Sequence, residues 1–150
     1  MTISFDLDDT LIPSRKEDFE TEERNLLQQM FSVEYLRKGT AGLVQSLRKE
    51  GHKVGIYTTS YRPVWKIKWA LFTYGISVDF VINEQINRRE LRKRSIDSSK
   101  YPPAFHIDMH IDDLRGVGME GERFGFNTVI VKTNDVGWTE TVEQRILLNC

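Results

Sequence analysis

The stretch ISFDLDDTLIPS, Ile3 to Ser14, joins a short apolar run to three carboxylates, Asp6, Asp8 and Asp9. A β-branched and aromatic segment that stops at polar residues reads as a buried strand delivering a charged edge. HKVGIYTT (His52 to Thr59), VDFVIN (Val78 to Asn83) and NTVIVKT (Asn127 to Thr133) have the same strand character. FHIDMHIDD is a further candidate; its polar middle places the strand near Met109 to Asp112.

Helical patterns lie between these segments. EDFETEERNLLQQMF has acidic residues early and Leu26, Leu27, Met30 and Phe31 late. TAGLVQSLRKEG reads as Thr40 at the N-cap, an apolar face of Leu43, Val44 and Leu47, and a stop at Gly51. RPVWKIKWALFTYG places Pro63 in a first turn and ends at Gly75. WTETVEQRILL closes the chain. Strands alternating with helices predict an α/β fold, a three-layer α/β/α Rossmann-like domain with a central, mainly parallel sheet. In such a sheet ligands bind beyond the carboxyl ends of the strands.

The 150 residues, 39% hydrophobic and 29% charged, suit one ordinary globular domain. A net charge of −1 argues against a molecule built as a whole for nucleic acid or an anionic membrane. No apolar run approaches the roughly 20 residues of a membrane helix. The N-terminus lacks a basic region followed by an apolar core, so a cytoplasmic location is expected. The single cysteine, Cys150, ends the chain and reads as an inert tail residue.

The strand ends carry the chemistry. The first ends in Asp6, Asp8, Asp9 and Thr10, the second in Thr58, Thr59 and Ser60, and the segment after Lys100 in Asp112 and Asp113. Carboxylates within about 4–6 Å of one another repel, and a hard divalent cation removes the conflict. Mg²⁺ takes oxygen ligands and keeps sites open for water or a phosphate oxygen. A carboxylate beside a bound phosphate can attack it, giving an aspartyl-phosphate. A second carboxylate can protonate the leaving oxygen and later deprotonate water. A hydroxyl and an ammonium group would steady the remaining oxygens.

SFDLDDTL resembles the first motif of the haloacid dehalogenase-like hydrolases, in their Asp-x-Asp-x-Thr phosphatase branch. LRKGTAGLVQSLRKEGHKVGIYTTS is similar to that family's helix and second strand, and HIDD (His110 to Asp113) to its acidic fourth motif. The resemblance covers nearly the whole chain, with the motifs in order. It implies Asp6 as nucleophile and metal ligand, and Asp8 as general acid/base with its backbone carbonyl on Mg²⁺. Thr10 would brace the loop, and Thr58, with Thr59, would bind phosphate. Lys100 would neutralise the phosphoryl oxygens, and Asp112 and Asp113 would ligate the metal. Thr59 stands where the family often has Asn, Lys93 and Arg94 are other candidates for the third motif, and Asp108 is a further acidic candidate. Ile12 to Lys38 suffices for a short helical flap (about 12–38) but not a folded cap. An open site of this kind favours a bulky substrate, or a lid lent by a partner or second subunit, as in a homodimer.

The resemblance implies a Mg²⁺-dependent phosphatase acting on a phosphate monoester. Phosphotransfer to another acceptor shares the first half-reaction, and a phospho-ligand binding module on the same frame is the non-enzyme alternative. The basic run NRRELRKRSIDSSK (Asn87 to Lys100) reads as a solvated face or as a track for a nucleotide or nucleic-acid end. Trp65 and Trp69, four apart on one helix, read as core or interface. His106 and His110 are possible ligands for a softer metal, with Mg²⁺ the simpler choice beside carboxylates.

Overall fold

Short β-branched strands separated by amphipathic helices assemble into one sheet. The computed structural model describes residues 1–149; Cys150 lies outside the described residues. The strands are β1 (Thr2–Phe5), β2 (Lys53–Tyr57), β3 (Phe80–Ile82), β4 (Met109–Asp112) and β5 (Asn127–Ile130). They form a wholly parallel sheet in the order β3-β2-β1-β4-β5. The helices are α1 (Leu26–Met30), α2 (Thr40–Lys49), α3 (Val64–Thr73), α4 (Glu84–Arg94), α5 (Arg115–Phe124) and α6 (Trp138–Leu147), with a 3₁₀ turn at Pro102–Phe105 before β4. No described helix is long and apolar enough to cross a membrane.

The period-two alternation of the strands gives the two faces of the sheet different characters. Ile3, Phe5, Val54, Ile56, Met109, Ile111 and Val129 belong to the main core, with Leu43, Val44 and Leu47 of α2, Ile67 and Leu71 of α3, and Trp138, Val142 and Ile146 of α6. The alternate residues include Ser4, Asp6, Tyr57, His110 and Asp112, all buried. A small apolar cluster of Tyr57, Ile82 and Ile107 also lies among them. One face is therefore an ordinary oil layer, while the other buries polar groups in its middle.

Several elements differ from the sequence reading. The acidic segment before α1 is helical only from Leu26, because Asn25 and Gln28 close a capping box that fixes the start there. Upstream, Arg24 turns away to the Val33 carbonyl and Tyr35 hydroxyl. Thr40 is the first helical residue of α2, and its hydroxyl donates to the Arg37 carbonyl at 2.6 Å. The N-cap is Gly39, at φ +88°, where a Cβ would also meet Thr139 at 3.0 Å.

The chain from Asn87 forms most of α4, a helix that buries Glu84, Asn87 and Leu91. Its inward stripe is mostly polar, so apolar periodicity does not reveal it. Helix α5 is masked by Gly116, Gly118 and Gly121, which lower helix propensity. The close packing on β5 requires one of them: a Cβ on Gly121 would stand 2.8 Å from the Phe126 carbonyl oxygen.

That contact generates a paired expectation. Gly121→Ala should destabilise the fold by about 1–3 kcal/mol, because backbone must shift. Gly116→Ala, with nothing within 4 Å of its Cβ, should be neutral or stabilise by up to ~1 kcal/mol. Urea unfolding of the two variants checks the contrast.

Candidate active site

The register of β1 on β4 sets the site. Ser4 pairs with His110 and Phe5 with Ile111, and the Asp6 amide donates to the Ile111 carbonyl at 2.8 Å. Parallel partners point the same way, so Asp6 lies beside Asp112 one step beyond the Ser4–His110 pair. In the strand order the chain runs outward from β1 to β3 on one side and resumes at β4 on the other. The two aspartates thus stand at the carboxyl edge of the topological switch point, where open α/β sheets bind ligands.

Lys100 enters between them. Its Nζ donates to Asp6 Oδ1 at 2.5 Å and to Asp112 Oδ2 at 2.6 Å, with all three side chains buried. This lysine lies in a loop, yet three elements fix its neighbours. Asn87 of α4 donates to the Ser99 carbonyl, Glu120 of α5 accepts from the Ser99 amide and hydroxyl, and the Tyr57 hydroxyl of β2 accepts from the Tyr101 amide. Lys93 and Arg94 instead pair with Glu90 on the outside of α4. Asp108 accepts from the Thr2 amide at the opposite end of the sheet, away from the cluster.

Behind the ion pairs, His110 Nε2 lies 3.0 Å from Asp112 Oδ2 and its Nδ1 lies 2.8 Å from Ser4 Oγ. Burial, aided by Lys100, pushes the imidazole down to about 4, so it is neutral near pH 7. A neutral ring has one donor and one acceptor. The tautomer that gives Asp112 a donor has the Ser4 hydroxyl donating to Nδ1 and Nε2–H donating to Asp112, while Lys100 Nζ, 3.3 Å from Nε2, directs its protons to the two carboxylates. Asp112 Oδ1 accepts from the Leu114 amide at 2.8 Å. Burial works against the Asp112 charge, but His110 and Lys100 hold its carboxyl well below the usual range. Burial pushes Asp6 up to about 6, with Lys100 opposing and Asp112 adding to the rise.

Charge within the cluster does not balance. The oxygens of Asp6, Asp112 and Asp113 come within 4.8 Å of one another, while Lys100 supplies one positive charge among them. Burial and the neighbouring Asp112 charge raise the Asp113 carboxyl. Three hard oxygen donors with residual negative charge suit a divalent cation of the Mg²⁺ or Ca²⁺ kind. The Thr10 hydroxyl donates to Asp113 at 3.1 Å, and the Thr10 carbonyl accepts from buried Arg37, which braces the loop. Asp9 adopts φ +58°, and its two carboxylate oxygens accept from the amide and hydroxyl of Ser14, so it shapes the turn.

Asp8 points elsewhere. Its carboxylate meets Arg62 Nη1 at 2.9 Å, and Arg62 Nη2 reaches Glu34 at 2.7 Å. Burial opposes the Arg62 charge, but the hydrogen bonds to Asp8 and Glu34 raise its pKa above that of an ordinary guanidinium. The sequence reading missed Arg62. One signal was present: a cation directly before the N-terminus of α3 is electrostatically unfavourable unless acids face it. Thr58 is buried; its amide donates to the Ile82 carbonyl and its hydroxyl accepts from the Ser60 amide. Thr59 is exposed and lines a groove of about 610 Å³ with Arg88, Arg92 and Ser99. His106 is exposed beyond the 3₁₀ turn, whereas His110 is interior.

The arrangement supplies a buried carboxylate held by an ammonium, two neighbouring carboxylates that could hold a hard ion, and a further, half-exposed carboxylate two residues on. Compared with family models, curated proteins and solved structures, the chain matches none.

Removing Lys100 strands two buried carboxylates. Lys100→Met should cost about 3–5 kcal/mol near neutral pH. The sign of its pH dependence follows from Asp6, whose folded pKa is raised. Ionising Asp6 costs stability as pH rises through about 6, and the cost is larger without the ammonium. Asp6 therefore keeps its proton to higher pH in the variant, and the deficit should shrink as pH falls toward about 6, as denaturant titrations at several pH values would show.

Proposed function

We propose that this chain is a small phosphohydrolase of the haloacid dehalogenase-like type, hydrolysing a phosphate monoester through an aspartyl-phosphate on Asp6. The observation that carries this reading is the buried Asp6–Lys100–Asp112 cluster at the carboxyl edge of adjacent strands. A structural ion pair rarely needs two carboxylates side by side with a third close by; a site for a cation and a phosphoryl group does.

Asp6, Asp112 and Asp113 would hold Mg²⁺, with the Asp8 backbone carbonyl as the resemblance implies. The ion, when bound, offsets the carboxylate charge and polarises a phosphoryl oxygen. In the first half-reaction an Asp6 oxygen attacks phosphorus and the bond to the ester oxygen breaks. Asp8 donates its proton to that oxygen, and the alcohol leaves. In the second, water gives a proton to Asp8 and attacks phosphorus; the Asp6–phosphorus bond breaks, releasing inorganic phosphate and restoring the carboxylate. Lys100 and the Thr58 hydroxyl hold phosphoryl oxygens. Arg62 orients Asp8 through the 2.9 Å contact.

A second reading concerns the leaving group. The groove beside Thr59 carries Arg88 and Arg92 together with Glu84 and Asp97; Arg88 pairs with Glu84, and its guanidinium lies 5.7 Å from the ring of exposed Tyr61. Cationic side chains beside an aromatic ring suit a nucleotide or nucleic-acid end. That substrate class, like phosphotransfer in place of hydrolysis, shares the chemistry at Asp6.

The wild-type protein is expected to hydrolyse p-nitrophenyl phosphate with Mg²⁺ and to stop when the metal is chelated. Asp6→Asn should reduce turnover to background, and Lys100→Ala should lower kcat by about 10²–10³-fold. Wild-type inertness over a broad phosphate-ester panel would sink the enzyme reading and favour a phospho-ligand binding module. A salt-sensitive mobility shift with a 3′- or 5′-phosphorylated oligonucleotide would support the nucleic-acid variant.

A further inference from the structure

Helix α3 is apolar on two faces. Ile67 and Leu71 enter the core, whereas Trp65, Trp69 and Phe72 form a separate i, i+4, i+7 stripe on the outside. Helix α1 lies against the end of that stripe: buried Gln28 donates to the carbonyl and hydroxyl oxygens of Thr73, and Phe31 packs edge-to-face on Trp69 with centroids 5.8 Å apart. Leu27, Met30, Phe31, Trp65 and Phe72 are each between 61% and 72% exposed. The four aromatic rings alone leave on the order of 500 Å² uncovered. Leu26, Leu27 and Met30 extend the face toward the ~800 Å² that each partner contributes to a standard interface. The rings by themselves already reach the upper part of the ~300–600 Å² typical of a monomer's largest apolar patch.

We infer that this α1/α3 face is an isologous dimer interface, covered by the same face of a second copy. Its area matches what a stable two-fold dimer needs. Lys68 lies within the stripe, one turn from both Trp65 and Phe72, where its methylene stem adds apolar cover; exposed Lys66 and exposed Glu23 just before α1 supply both signs of charge, which a two-fold axis can pair with each other. A lipid surface would favour a basic polar edge without the acid. The net charge of −1 leaves little repulsion between copies. The edge-to-face Phe31–Trp69 pair holds the two helices in one relative position, so little ordering is left to lose on association. The same two segments carry Glu34 and Arg62, so association also steadies the pair that holds Asp8.

Sedimentation equilibrium at tens of micromolar should give twice the 17.5 kDa chain mass. The double variant Trp65→Glu/Phe72→Glu should sediment as a monomer with an unchanged far-UV spectrum, whereas Val136→Glu, at an exposed position outside the face, should remain dimeric. Independently of any variant, diluting the wild type should shift its tryptophan emission to the red. Trp65 and Trp69 then become wet, while Trp138 stays buried. A wild-type monomer without the emission shift, or a dimer surviving both substitutions, would overturn the inference. A monomer that cosediments with phosphatidylserine vesicles would also overturn it and assign the face to a lipid surface.

Discussion

Two carboxylates placed side by side on neighbouring buried strands are the constraint on which the rest of this structure turns. The β1–β4 register puts Asp6 beside Asp112, and an ion pair at that depth is stable only when every lone pair is met. Lys100 meets one oxygen of each, and His110 and the Leu114 amide complete Asp112. Ser4 fixes the ring of His110 from behind. The polar face of the sheet is thus a supporting frame for one ammonium and two carboxylates, while the opposite face carries the main apolar core.

The frame explains why helices with little apolar character stay attached. Asn87 of α4 accepts from the Tyr57 hydroxyl and donates to the Ser99 carbonyl, and Glu120 of α5 receives the amide and hydroxyl of the same serine. These bonds locate a loop whose one cationic side chain, Lys100, reaches the cluster. Burying polar groups of this kind is tolerable because each finds a partner, and their geometry gives the loop one conformation rather than many.

Asp8 stands apart from the buried set. A flexible carboxylate near an open mouth would sample several positions, and the bifurcated contact of Arg62 with Asp8 and Glu34 restricts it. Arg62 and Glu34 come from segments flanking the exposed aromatic face. The residues that hold Asp8 thus sit next to the exposed aromatic face in the chain. The proposed catalytic cycle asks Asp8 to exchange a proton twice, so the firmness of that contact bears directly on the proposed chemistry.

The sequence by itself determined the fold class and the chemical inventory. Short β-branched and aromatic runs around Ile3, Val54, Val81, Met109 and Val129, separated by helical patterns, specify a parallel sheet, because parallel neighbours need a crossover connection and a helix supplies it. Placing Asp6, Thr58 and Asp112 at strand ends follows from the same reading. Helices α4 and α5 were illegible, since one turns polar residues inward and the other uses glycine for close approach, and both defeat a search for apolar periodicity. Which lysine reaches Asp6, where Asp8 points, and why Asp108 lies at the far end were decided only by tertiary structure. Those outcomes depend on strand register and on hydrogen bonds between residues some 50 to 100 positions apart. Local sequence carries no record of such pairings, because a side chain's type sets what it can bind and the packing of distant segments sets what it meets.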